Sequence, residues 1–277
     1  KYEDKGLIRK YFPVFNYSVF GYEEQVVFYL KFEKIDHIDI FLETLENHDN
    51  VINYGEIYNK YDIYLTGIFQ DSKEVHEFID SLFKDENCLV TDYDILQPIH
   101  SELYPLKFFN NSEKLSYILS EEKEQVEIDE KDRAILKQLG KDGRSKLKTL
   151  ARAADISPEN AHRRLKTLRK DVILGNRIQF DMTVLDFAFA QIFINFKLFD
   201  DDIRKKIKEY ATEEKLIQTL IINTGKPHCM IQYLYRDKKD LRKSIKRLRK
   251  HLSTVKIETD LILLDPSIDE IDPLPFL

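Results

Sequence analysis

Between positions 160 and 170, seven side chains could do chemistry on a polyanion: Asn160, His162, Arg163, Arg164, Lys166, Arg169 and Lys170. They are interleaved with Ala161, Leu165 and Leu168 at helical spacing, so one helix face is apolar and the other basic. A guanidinium offers a planar fork of donors that fits the O6 and N7 of guanine. A helix of this width enters the major groove of a duplex, and lysines beside it neutralise phosphates. Residues 127–180 carry fourteen Lys/Arg against eight Asp/Glu, in a chain whose net charge is −6. The positive charge is therefore gathered on one module, as a duplex reader requires.

The elements that must hold this face are legible around it. Asp129 can cap a first helix whose apolar stripe is Ile135, Leu136 and Leu139, and positions 140–143 end it. Ser145 is placed to cap a second helix, with Leu147, Leu150, Ala151 and Ala154 inward. Ser157-Pro158-Glu159 then reads as cap, first helical position and acidic first turn of a third. After it, 172–174 and 177–180 are the right length for a two-stranded wing. The pattern is a helix-turn-helix.

Sliding the chain against itself by 165 or 166 positions shows that the rest is duplicated. Phe15-Asn16-Tyr17-Ser18-Val19-Phe20 lies over Phe180-Asp181-Met182-Thr183-Val184-Leu185, Gln25 over Gln191, Lys31 over Lys197, Asp71 over Asp237 and Asp94 over Asp260. Each copy reads as strand, helix, two strands, helix, strand. In the first copy these are 26–33, 36–47, 51–58, 61–69, 72–83 and 87–96. The second copy runs over 188–264, with helices at 200–211 and 238–252. The order is βαββαβ, the split βαβ of ferredoxin-like domains. The expected class is α+β: two ferredoxin-like units with a winged helix-turn-helix between them. The predicted divisions are 1–22 (the end of a first reader and its wing), 23–105 (first unit), 106–126 (a connector with a short helix at 113–119), 127–182 (winged helix-turn-helix) and 183–277 (second unit).

Composition narrows the function. No apolar run reaches the 18 or so residues of a membrane span, so no membrane partner is expected. Two cysteines, Cys88 and Cys229, make no disulfide framework and suit a reducing cytoplasm as buried thiols. The histidines are scattered, His228-Cys229 is adjacent rather than chelating, and no phosphate loop or nucleophile elbow occurs. We accordingly expect no metal, no cofactor, no catalytic residue and no enzyme. The helix over 236–251 holds nine Lys/Arg, while its counterpart over 71–86 holds two against six acids. The simplest expectation for it is a solvated face behind Leu241, Ile245, Leu248 and Leu252.

The runs Ile128-Asp129-Glu130-Lys131-Asp132-Arg133-Ala134-Ile135-Leu136, Lys141-Asp142-Gly143-Arg144 and Ile156-Ser157-Pro158 resemble the helix-turn-helix of Lrp/AsnC-family transcription regulators. In that family a βαββαβ effector (RAM) domain follows, as it does here. Glu3-Asp4-Lys5-Gly6-Leu7-Ile8-Arg9-Lys10-Tyr11 resembles the end of a first recognition helix and its wing, so about 40 residues are expected before Lys1. The resemblance implies double-stranded DNA as partner, self-association through the RAM-like domains and a small-molecule effector such as an amino acid. On this reading the DNA set is Ser145, Lys146, Lys148, Ser157, Glu159, Asn160, His162, Arg163, Arg164, Lys166, Thr167, Arg169 and Arg177. The family's effector-domain turn reads Gly, a short gap, then Asp. Here the first copy has Asn59 for the Gly and keeps Tyr61-Asp62. The second keeps Thr224-Gly225 and has His228 for the Asp. These six residues are the expected effector set.

An alternative on the same scaffold is an enzyme. Siroheme decarboxylases resemble Lrp/AsnC proteins and carry a His-Asn-Tyr-x-Arg-like run. Ile52-Asn53-Tyr54-Gly55-Glu56 keeps the Asn-Tyr, with Ile in the His place and no nearby Arg.

Overall fold

Strands with a near-continuous apolar run need cover on both faces, and two strands of this chain are built that way. In the computed structural model, which describes residues 2–45, 48–84, 90–107 and 116–277 (side chains of 267–270 excepted), β2 is Glu24–Phe32. Its Val26, Phe28, Leu30 and Phe32 face helices, while Val27 and Tyr29 face a second sheet. In the other unit β9, Ala188–Phe196, does the same: Ile192, Ile194 and Phe196 face helices and Phe193 faces the first sheet.

After β1 (Ile8–Phe15) and a short 3-10 turn at Tyr17–Phe20, the first unit is β2, α1 (Ile35–Leu45), β3 (Val51–Ile57), β4 (Ile63–Phe69), α2 (Ser72–Leu82) and β5 (Val90–Leu96). Then come β6 (Pro98–Leu103), β7 (Tyr117–Ile118), the helices α3 (Glu130–Lys141), α4 (Leu147–Ala153) and α5 (Pro158–Asp171), and β8 (Ile173–Phe180). The second unit is β9, α6 (Asp201–Glu213), β10 (Ile217–Asn223), β11 (Cys229–Tyr235), α7 (Lys238–His251) and β12 (Ile257–Ile271). Aspartates cap α2, α6 and α7: Asp71, Asp200 and Asp237 each accept from a backbone N–H of the first turn.

The two units share a strand order, β5-β2-β4-β3 and β12-β9-β11-β10, and they join into one ten-stranded sheet, β5-β2-β4-β3-β12-β9-β11-β10-β6-β7. The joints are reciprocal. The end of β12 leaves its own unit to pair with β3 (Leu264 opposite Ile57), and β6 pairs with β10 (Thr219 opposite Leu103). The inner faces then pack on each other through Val27, Tyr29, Tyr61, Phe193, Met230 and Ile262. Tyr29 donates a buried 2.6 Å hydrogen bond to the Gln191 carboxamide across that junction.

Three expectations change. The wing is not a hairpin of 172–174 with 177–180: from Ile173 on those residues form the single strand β8, which pairs antiparallel with β1, from Ile8 opposite Phe180 to Phe15 opposite Ile173. Residues 3–6 form turns, with Gly6 left-handed at φ +71°, rather than a helix end. In the connector, Tyr117–Ile118 is a strand against β6 and Ser116 and Leu119 are not helical, in place of the end of a helix; residues 113–115 of that predicted helix lie outside the described residues, as does Cys88. Cys229 is buried in β11, and burial pushes its thiol well up. Between the inner faces and the β1–β8 ribbon lies a cavity of about 420 Å³.

Candidate nucleic-acid interface

The reader is held by a core of Ile135, Leu136, Leu139, Leu150, Leu165 and Leu168, all buried, continuous with Ile52 and Ile68 of the first unit. Asp129 caps α3 by accepting from the N–H groups of Lys131 and Asp132, both at 2.9 Å. Ser157 caps α5 through the Asn160 N–H at 3.2 Å, with Pro158 at the first helical position. The turn between α4 and α5 runs through Asp155 at φ +51°, a left-handed conformation that Asp tolerates. Ser145 does not cap α4: its hydroxyl accepts from the Gln138 carboxamide at 3.1 Å, and Lys146 occupies the cap position with no side-chain bond.

Ser157, Glu159, His162, Arg163, Lys166, Thr167, Arg169 and Lys170 are exposed along α5, and Lys146 and Lys148 are exposed beside it on α4. Half-buried Asn160 accepts from the Arg163 guanidinium at 3.2 Å, one turn on, which steadies that fork at the helix N-terminal end. Two expected members do not belong to this face. Arg164 is clamped between Asp129 (2.8 Å) and Asp132 (2.9 Å), its side chain only 22% exposed. It ties α5 to the start of α3 and has no fork to offer a base. Arg177 lies on β8 opposite Phe12, half-buried, and lines the cavity under the ribbon.

The clamp makes the reader acid-sensitive. The Asp132 N–H, aided by the Arg164 guanidinium, holds the Asp129 carboxyl below the usual range. A carboxyl with a lower pKa folded than unfolded adds stability above its unfolded value, about 3.9. That stability is lost as pH falls through the folded value. Thermal melts between about pH 5 and pH 3 are expected to show a steeper loss for the native chain than for Asp129→Asn. Parallel profiles would show that the clamp is not what titrates.

The expected effector residues do not gather at one site. Asn59 bridges to β12, donating to the Leu261 carbonyl and accepting from the Leu263 N–H, both at 2.7 Å. The left-handed residue of that turn is Lys60, φ +53°, not Asn59. Asp62 pairs with Lys31 at 2.6 Å and accepts from the Phe32 N–H, and Tyr61 bonds Asp94. Thr224 and Gly225 are exposed in the β10–β11 turn. The His228 ring accepts from the Phe196 N–H at 3.1 Å, and burial lowers its pKa. None of the six lines the central cavity. On α7, Leu241, Ser244 and Leu248 are buried, and Arg247 pairs with Glu214 at 2.6 Å. No group of three His, Cys, Asp or Glu among the described residues could hold a metal, and no described helix is long and apolar enough to cross a membrane.

Residues 128–169 match the AsnC-type helix-turn-helix domain, and the chain carries that domain. No curated protein sequence is significantly similar. Among solved structures, the siroheme decarboxylase NirDL in co-complex with an iron-uroporphyrin III analogue is 12% identical, covering 95% of this chain and 77% of that one, with a TM-score of 0.61. A second structure of siroheme decarboxylase NirDL has a TM-score of 0.60 at the same identity and over the same shares. AsnC of E. coli is 22% identical over 53% of this chain and all of its own, with a TM-score of 0.46. The likeness to NirDL establishes the fold. It also overturns the expectation that the chain is no enzyme, because an enzyme uses this fold across nearly the whole length.

Proposed function

We propose that the chain is a DNA-binding transcriptional regulator, acting in the cytoplasm, that enters the major groove with α5. The observation that carries this reading is the AsnC-type helix-turn-helix at 128–169 with a basic α5 face in solvent. Arg163, Asn160 and His162, at the N-terminal end, meet base edges, with Ser157, Glu159 and Thr167 flanking them. Lys146, Lys148, Lys166 and Arg169 meet phosphates. Self-association through the ferredoxin-like units sets the spacing between readers, so half-sites lie a whole number of helical turns apart. Binding to fragments of the gene's own promoter, followed by fluorescence anisotropy across a salt series, tests this. Lys146→Ala is expected to weaken binding evenly across sequences and to lower the salt slope by about one. Binding that ignores both salt and sequence would end the reading.

A second reading is favoured by the fold shared with siroheme decarboxylase NirDL. On it, a tetrapyrrole is decarboxylated in the cavity between the units, where Asn53 stands. Incubation with siroheme, with released carbon dioxide as the readout, tests it independently of DNA.

A further inference from the structure

The cavity between the two units has a polar lining that internal hydrogen bonds satisfy only in part. Gln191, Gln218, Thr66, Thr219 and Ser101 are all at least nine-tenths buried, yet they border it, together with Gln25, Asn53 and Gln232. Burying uncharged polar groups costs free energy unless they find partners. The Asn53 carboxamide oxygen is buried with no hydrogen-bond partner in the protein. Gln191 is satisfied by Tyr29 and Gln218 by the Ile217 carbonyl, but at position 53 an apolar side chain would have been the more stable choice, so the Asn53 oxygen is arranged for something that enters.

The chemistry of the lining selects the class of ligand. Gln25, Asn53 and Gln232 each carry an acceptor beside two donors, the pattern that matches the amide or amidine edge of a nitrogen heterocycle, while Gln191 spends its oxygen on Tyr29 and Gln218 a donor on the Ile217 carbonyl. Phe12, Tyr64, Phe189 and Met230 supply flat or polarizable surface for stacking. Arg177 is the one charged residue among those that line the cavity. A free amino acid would bring an ammonium group with no carboxylate to meet it, and a buried unpaired charge is strongly disfavoured.

The duplication adds a second constraint. Gln25 and Gln191, Asn53 and Thr219, Thr66 and Gln232, and Tyr64 and Met230 are repeat equivalents, so the cavity sits on the internal pseudo-twofold axis. In a dimer of identical chains both sides of such an axis are the same. Here they have diverged, Tyr64 against Met230 and Ile52 against Gln218, which favours one asymmetric ligand in one orientation.

We propose that this cavity binds one uncharged, planar nitrogen heterocycle per chain, of the size of a nucleobase or nucleoside. The inference rests on neither functional reading, and its test needs no DNA. Calorimetry and thermal melts of the full chain with adenosine, guanosine, cytidine and uridine should reveal one-to-one binding of at least one of them. Methionine and siroheme serve as the zwitterionic and tetrapyrrole probes. Asn53→Leu should weaken that binding about tenfold or more while raising the melting temperature of the free protein, because it removes an unpartnered buried group. Gln25→Leu, on a half-buried residue, should weaken it in the same direction. A residue with a merely structural role would instead lower the melting temperature and leave affinity untouched. That outcome, failure of all four nucleosides at millimolar concentration, or binding of methionine or siroheme in their place would overturn the proposal.

Discussion

Arg163→Ala should weaken specific DNA binding by about 10- to 100-fold while leaving the melting temperature nearly unchanged. The size follows from the roughly 1–3 kcal/mol of discrimination that one bidentate guanidinium contact provides. The indifference of stability follows from its position: Arg163 is exposed, and its guanidinium donates to Asn160 within the same helix. Arg164→Ala should do the reverse. Its guanidinium is held by Asp129 and Asp132, with its Nε buried and unpartnered, so removal loosens α3 against α5 and leaves two carboxylates facing each other. Affinity would then fall only as far as the reader unfolds. Anisotropy on a common promoter fragment, paired with melts of both variants, separates the two neighbours. Equal losses of affinity at equal stability would show that the clamp opens on DNA and that Arg164 also reads.

Leu274→Ala should cost about 2–5 kcal/mol, with the loss centred on the reader and not on the sheets. Leu274 is 5% exposed and packs in the same cluster as Ile135, Leu136 and Leu139, although it follows β12 of the second unit. The tail is seated by several contacts. The Tyr17 hydroxyl donates to the Pro273 carbonyl at 3.1 Å, and the Phe276 ring lies 5.2 Å from Phe20 and 4.6 Å from Tyr22. The tail thus ties the second unit to the helix-turn-helix and to the first unit at once. Denaturant titration gives the size of the loss, and amide exchange locates it. A loss spread evenly over both units would show that the tail is a general fastening and not a support of the reader.

The ribbon of β1 and β8 roofs the central cavity, and β8 follows α5 directly. The proposed ligand would lie against that ribbon, and the tail residue Pro273 borders the cavity too. The same few residues therefore touch the cavity on one side and the reader's support on the other.

What the sequence determined alone is what short-range physics controls. Asp129 and Ser157 announce helix starts because a cap acts within three residues of itself. The run Val26-Val27-Phe28-Tyr29-Leu30 announces a strand covered on both faces, since an exposed face would have left polar residues at alternate positions. The internal offset made the duplication legible, and the spacing of Ala161, Leu165 and Leu168 fixed which side of α5 meets solvent. Tertiary structure decided the rest, because it turns on contacts between distant segments. Arg163 and Arg164 are indistinguishable in composition; only the approach of Asp129, 35 positions earlier, assigns one to solvent and the other to a clamp. The partner of β8 is β1 and not its own neighbour, because strand pairing follows the closing of the chain and not its order. Gln25, Asn53, Gln191, Gln218 and Gln232 sit on separate strands with no shared motif, and they face one space only after the two sheets have packed.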